Sequence, residues 1–385
     1  MQGSEKRLEL GEEAATVQNQ RVKASGLIAA FVFIALLGLM GRASAEHPGV
    51  HGKPVVDAAV AAYVPVGKVA GAFTIEGSDT MQPIVAKIAS AFREWQPDIK
   101  IAVQGGGTNM ALLGFLQDQS TIRRGDGSPK GGHHVSGGIA LLAASRPLTE
   151  NERKDFRSRY GYDVTEIPIA LDAIAVYVNR QNPIEGLALE QLDAIFSKDR
   201  KRGLQEDITT WGQLGLKDEW AQQPIHRYGQ DQRSGTRAIF IQKVLQDGNL
   251  RPDVQVKAGP ASEILALSRD VLGIGYASIG FQASTVRIIP LAERIGAAFV
   301  APSPESVANG TYPLSRHLYL YAKKDPKAGL QPEILEFFKF VNSRDGQDMV
   351  VKAGAYPLPA RQVAKNLEAL TGTVVAATSG STSVN

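Results

Sequence analysis

Hydroxyl side chains stand just ahead of expected helices at Gly77-Ser78-Asp79-Thr80, Gly105-Gly106-Gly107-Thr108-Asn109 and Arg233-Ser234-Gly235-Thr236-Arg237. A helix start carries unpaired N–H groups and the positive end of the helix dipole. A hydroxyl there either caps the helix or turns toward a bound anion. Three such starts, joined by Ser145-Arg146-Pro147 after an apolar run, suggest a cage for a small oxyanion such as phosphate. Taken one at a time, the first two stretches are better explained as N-caps, and Pro83 suits a first helical turn. The last stretch favours the anion. Gly235 between two hydroxyls admits close approach of a ligand to backbone, and the flanking Arg233 and Arg237 have planar forks that grip tetrahedral oxyanions.

The elements that must position these residues follow from hydrophobic period. Strands are expected over 73–76, 99–104, 138–143, 164–170, 173–179, 225–229, 271–277 and 318–322. Helices are expected over 82–95, 109–117, 189–196, 236–245, 261–268, 332–341 and 346–352, with another starting at Thr149. Thr149 and Glu152 have capping-box spacing. Strands alternating with helices imply an α/β fold with largely parallel sheets. Residues 123–136 form a glycine-rich basic insertion, and no internal repeat is present.

The N-terminus points to export. Arg21 and Lys23 precede an apolar run over 26–40, and Ala43-Ser44-Ala45 follows as an A-x-A cleavage site. This predicts a signal peptide over 1–45, cut before Glu46, rather than a permanent span. The chain has no cysteine, so no disulfide or lipidation is expected. Of its 42 basic and 39 acidic residues, five basic and four acidic lie in 1–45, which leaves a net charge of +2. That balance argues against nucleic acid or a membrane surface as the main partner. The remaining 340 residues suit two lobes better than one core.

An ordered series of motifs runs along the chain: Gly77-Ser-Asp-Thr-Met81, Gln104-Gly-Gly-Gly-Thr108, Ala144-Ser-Arg-Pro-Leu148, Thr210-Trp211, Ser234-Gly-Thr-Arg237, Gly273-Ile-Gly-Tyr276, Tyr312-Pro-Leu-Ser-Arg316 and Ala355-Tyr-Pro-Leu358. In that order, over 73–359, the chain resembles the substrate-binding proteins of phosphate ABC transporters, of the type II periplasmic binding protein superfamily. The resemblance implies two α/β lobes joined by crossing strands, with the ligand in the cleft between them. It implies lobe 1 over 73–170 and 315–359 and lobe 2 over 171–314. A leader over 46–72 precedes them, and a C-terminal helix and loose tail over 360–385 follow. Carried over by position, Ser78, Thr80, Met81, Thr108, Ser145, Ser234, Gly235 and Thr236 would face the ligand. A membrane permease is the implied partner, and no cofactor is expected of a monomeric binder.

Two positions depart from the family pattern. Gln230 stands where many relatives have arginine, and Ser145-Arg146 replaces Ser-Asp. Phosphate near neutral pH carries a proton that needs an acceptor, which unprotonated sulfate does not. The acceptor is then expected to be Asp79, Asp172 or Asp231, and the cation Arg146, Arg233 or Arg237. Arg233 is slightly preferred as the cation, with Arg146 as a structural partner for a carboxylate such as Glu150.

Rival chemistries are weaker. No Gly-x-Ser-x-Gly, Gly-x4-Gly-Lys-Ser/Thr or His-Glu-x-x-His occurs, and the six histidines are scattered or in loops. A secreted phosphatase is the alternative enzyme reading, and a phosphate-ester binder or adhesion protein on the same fold the alternative binder. His133-His134 is read as a solvated loop rather than a metal site. Gly273-Ile-Gly275 is read as a buried strand, and Trp211 and Trp220 as packing residues.

Overall fold

The computed structural model describes residues 54–120 and 138–372. The expected signal peptide, the 123–136 insertion and the tail beyond 372 lie outside the described residues. The chain opens with β1 (Gly71–Gly77), α1 (Gln82–Trp95), β2 (Ile99–Gln104), α2 (Thr108–Gln117), β3 (Leu141–Ala144) and α3 (Glu150–Tyr160). A long strand, β4 (Thr165–Asn179), leads to β5 (Leu187–Ala188), α4 (Leu189–Phe196), β6 (His226–Gln230), α5 (Gly235–Leu245) and β7 (Gln255–Lys257). Next come α6 (Pro260–Arg269), β8 (Gly273–Ser278), β9 (Val286–Ile289), β10 (Leu291–Ala292) and α7 (Pro304–Ala308). The chain returns through β11 (Ser315–Ala322) and ends in α8 (Pro332–Val341), α9 (Arg344–Lys352) and α10 (Ala360–Thr371).

The main sheet has the order β2-β1-β3-β11-β4-β8-β6-β7, with β9 also on β4. One lobe is built on β2, β1 and β3, which pair in parallel, and on β11, which is antiparallel to β3. Parallel strands need crossovers, and α1 supplies one: Ile84, Val85, Ile88 and Phe92 all turn inward. Phe92 meets Phe337 and Phe340 of α8 at ring distances of 5.4 Å. The other lobe is built on β8, β6 and β7, with α5 and α6 against them. There the Phe240 and Tyr276 rings lie parallel at 3.8 Å. A two-stranded sheet pairs β10 with β5.

Sequence periodicity predicts two strands around Asp172, whereas the structure has one strand of 15 residues. A charge would normally interrupt a buried strand, but here it is neutralised where it stands. Asp172 is fully buried, and its neighbour in register is Arg316 of β11. β4 pairs with β11 through Ala173, and from Ile174 onward it pairs with β8. The Ile174 N–H donates to the Leu314 carbonyl at 3.0 Å, so the two crossings are tied side by side. This is the two-lobed α/β architecture with crossing strands.

Residues 54–70 pack against α8 and α9. The Tyr63 hydroxyl donates to Glu336 at 2.6 Å, and Arg344 donates to the carbonyls of Val60 and Ala58. The capping box of α3 forms: Thr149 Oγ1 accepts from Glu152 N, and Glu152 Oε2 accepts from Thr149 N. Trp211 is fully buried and packs edge-on against Trp220, so both serve the core. Among the described residues, no helix is long and apolar enough to cross a membrane.

Candidate functional site

Four loops at the carboxyl ends of strands meet between the lobes. The first follows β1. Its Ser78 N–H donates to Ala143 O at 2.8 Å, which fixes the loop against β3. Ser78 Oγ accepts from Thr80 N at 3.2 Å. The second loop follows β2 and turns on Gly107, whose φ of 97° favours glycine. A Cβ there would lie 2.5 Å from Arg233 O, so glycine also lets the fourth loop approach.

The hydroxyls of these loops converge across the cleft. Thr80 Oγ1 lies 3.0 Å from Thr236 Oγ1, which joins the first loop to the start of α5. Thr108 Oγ1 lies 3.4 Å from Ser145 Oγ and accepts from Ser145 N at 3.3 Å. Gly235 sits between the pairs: a Cβ would come 2.6 Å from Ser145 Oγ and 2.7 Å from Thr108 Oγ1. Thr108, Ser145 and Thr236 are wholly buried, and Ser78 and Thr80 nearly so. Further bonds join the lobes beside this cluster. Asn109 N donates to Arg233 O at 3.1 Å, and Asn109 Nδ2 donates to Gln232 O at 2.7 Å. The first residues of α2 and α5 therefore bring buried hydroxyls together at two helix starts.

Which hydroxyls are caps differs from expectation. Neither α1 nor α2 has a side-chain cap, so Ser78, Thr80 and Thr108 are not N-caps of those helices. Ser234, placed on the ligand side from sequence, is the N-cap of α5. Its Oγ accepts from Thr236 N and Arg237 N, and it donates to Gln230 Oε1 at 2.6 Å. Met81 is also not brought to the cluster. Its side chain is buried in the first lobe's core, and its N–H donates to Ser78 O.

The expected cations are engaged elsewhere. Arg146 holds Glu152, not Glu150, with both terminal nitrogens at 2.7 and 2.8 Å, and also bonds Asn109 Oδ1 and Pro147 O. It braces the second and third loops from behind. Arg233 is half-exposed and paired with Asp231 at 2.6 Å. Arg237 donates to Gln230 O at 3.0 Å. Of the three carboxylates, Asp231 is occupied by Arg233, and Asp172 by Arg316 and Ser278. Asp79 accepts from Gly106 N at 2.8 Å, and burial raises its pKa above the usual carboxylate value.

Two residues were missed in the sequence. Arg316 lies next to the cluster and donates from Nη1 to Ser145 O at 2.9 Å. The available signal was Asp172 inside the apolar run 167–178. Glu263 of α6 is fully buried and accepts from Tyr276 N and from Gln230 Nε2. Burial pushes its carboxyl up to about 8. Gln230 thus links Ser234 to a buried acid.

Two α/β lobes joined by crossing strands, with donor loops meeting between them, define a ligand-binding protein of the periplasmic type. Residues 62–345 match the model of the PBP superfamily domain. The chain is 35% identical over 349 residues to the phosphate-binding protein PstS of Pseudomonas aeruginosa, covering 91% of this chain and 99% of that protein. A solved structure described as a possible phosphate binding protein from Planctomyces limnophilus is 25% identical. It superposes with a TM-score of 0.55 over 79% of this chain and 99% of that one. An ABC-type phosphate transport receptor from Vibrio cholerae, 23% identical, shares the fold with a TM-score of 0.54 over 74% of this chain and all of the other. The chain belongs to the PBP-type phosphate-binding protein family.

Proposed function

We propose that this protein captures inorganic phosphate, or a close oxyanion, outside the cytoplasm and delivers it to an ABC-transporter permease. One observation carries the reading: the hydroxyls of Thr80, Thr108, Ser145 and Thr236, from four loops, are buried together between the lobes, with Thr108 and Thr236 at helix starts. Neutral donors in a dry site hold an oxyanion without the solvation cost of several unpaired cations. Asp79 is the carboxylate that suits the proton of monohydrogen phosphate. It flanks the cage, and among the described residues no cationic side chain hydrogen-bonds it, whereas Asp172 and Asp231 each hold an arginine. No cage hydroxyl bonds a histidine or a carboxylate among the described residues, so nothing there favours an activated nucleophile.

Delivery outside the cytoplasm follows from the A-x-A site, and the export product is expected to begin at Glu46. Calorimetric titration of the protein from Glu46 onward with phosphate, arsenate, sulfate and molybdate tests the ligand. Saturable binding of phosphate and arsenate, with sulfate at least a hundredfold weaker, is the expected result. Equal affinity for sulfate would remove the role given to Asp79.

A further inference from the structure

We propose that Arg316, on the returning crossing strand, is the charged donor to the bound oxyanion, and that Asp172 is the positioning residue that aims it. The proposal rests on the reading of the hydroxyl cluster as an oxyanion site. Each cation offered by the motifs is bonded elsewhere, and Lys243 of α5 donates to the backbone of Ser315. Arg316 remains, and it reaches the cage directly. Its Nη1 bonds the carbonyl of Ser145, whose hydroxyl belongs to the cluster.

The hydrogen bonding of this guanidinium is incomplete. Nε donates to Asp172 Oδ2 at 2.8 Å. Nη2 lies 2.7 Å from the same oxygen, yet it has no acceptor in hydrogen-bonding geometry among the described residues. Its side chain is only 3% exposed, so water does not readily replace the acceptor. A buried charged donor left without an acceptor is costly, and a ligand oxygen would remove that cost. Asp172 is fixed in turn by the Ser278 hydroxyl at 2.7 Å, a residue of β8 in the other lobe. The pair is neutral when the site is empty, so the cage holds no uncompensated charge before the anion arrives. Asp172 and Arg316 face each other across β4 and β11 where the chain passes between lobes. The donor is therefore anchored at the hinge, not on a loop.

The test is titration of the protein from Glu46 onward with inorganic phosphate, comparing the wild type with Arg316→Lys, the charge-neutral double variant Arg316→Gln/Asp172→Asn, and Arg233→Gln. Thermal melting is recorded in parallel. Arg316→Lys is expected to bind at least tenfold more weakly and the double variant at least a hundredfold, while Arg233→Gln stays within twofold. Between pH 5.5 and 8 the ligand gains a charge, and the double variant should lose the pH dependence of affinity that the wild type shows. A merely structural loss would leave that dependence in place. A folded double variant that keeps wild-type affinity and pH dependence overturns the proposal. Absence of phosphate binding by the wild type would overturn the oxyanion reading instead. Should the Arg316 variants fail to fold, the guanidinium 1H–15N spectrum of the wild-type protein decides. A buried guanidinium that shifts with phosphate and persists in Arg233→Gln supports the assignment, and no such shift overturns it.

Discussion

At the start of α5, Ser234 and Thr236 stand two residues apart and serve different ends. Ser234 turns back to cap the helix, while Thr236 turns across the cleft to Thr80. Both are small hydroxyls in the first turn, so sequence alone does not separate cap from ligand donor. The hydroxyl clusters were legible, but the direction of each hydroxyl was not. Thr236→Val keeps the shape and removes the donor. Phosphate affinity should fall by roughly 1.5–3 kcal/mol, about ten- to a hundredfold, by calorimetry. Arg146→Gln should act on stability instead, because it frees Glu152 and Asn109 from their shared partner. A loss of about 1–3 kcal/mol in denaturant unfolding is expected. Glu263 gives a pH signature. Burial raises its carboxyl to about 8 in the folded protein, well above the ordinary glutamate range. The folded state then binds this proton more tightly, so the stability that Glu263 contributes is fully present below the ordinary glutamate pKa and is lost as pH rises toward 8. Glu263→Gln should flatten the melting temperature between pH 5 and 8.

Element boundaries were largely visible where the hydrophobic period was strong. Helices over 82–95 and 189–196 and the strand over 99–104 have the expected limits. β4 was not visible as one strand, because Asp172 interrupts its apolar pattern and its partner lies 144 residues away. Local pattern carries no information about such a partner. The same distance hid Arg316, which looked like part of a motif and not like a buried charge. At α3 the local signal was sufficient. Thr149→Ala removes a capping box on the outer surface and should cost roughly 0.5–2 kcal/mol of stability. Phosphate affinity should be unchanged in the same variant, measured by titration.

For the whole molecule, the long strand β4 and the return at β11 make the cleft and the hinge one construction. The Asp172–Arg316 pair lies where both strands cross, and the hydroxyl loops stand at strand ends beside it. An oxyanion is expected among these loops. The most direct measurement is a crystal structure of the exported protein grown with phosphate. One phosphate is expected between the lobes, within hydrogen-bond distance of Thr80, Thr108, Ser145 and Thr236, with Arg316 donating from the hinge side. Phosphate bound elsewhere, with these hydroxyls still bonded only to one another, would contradict it.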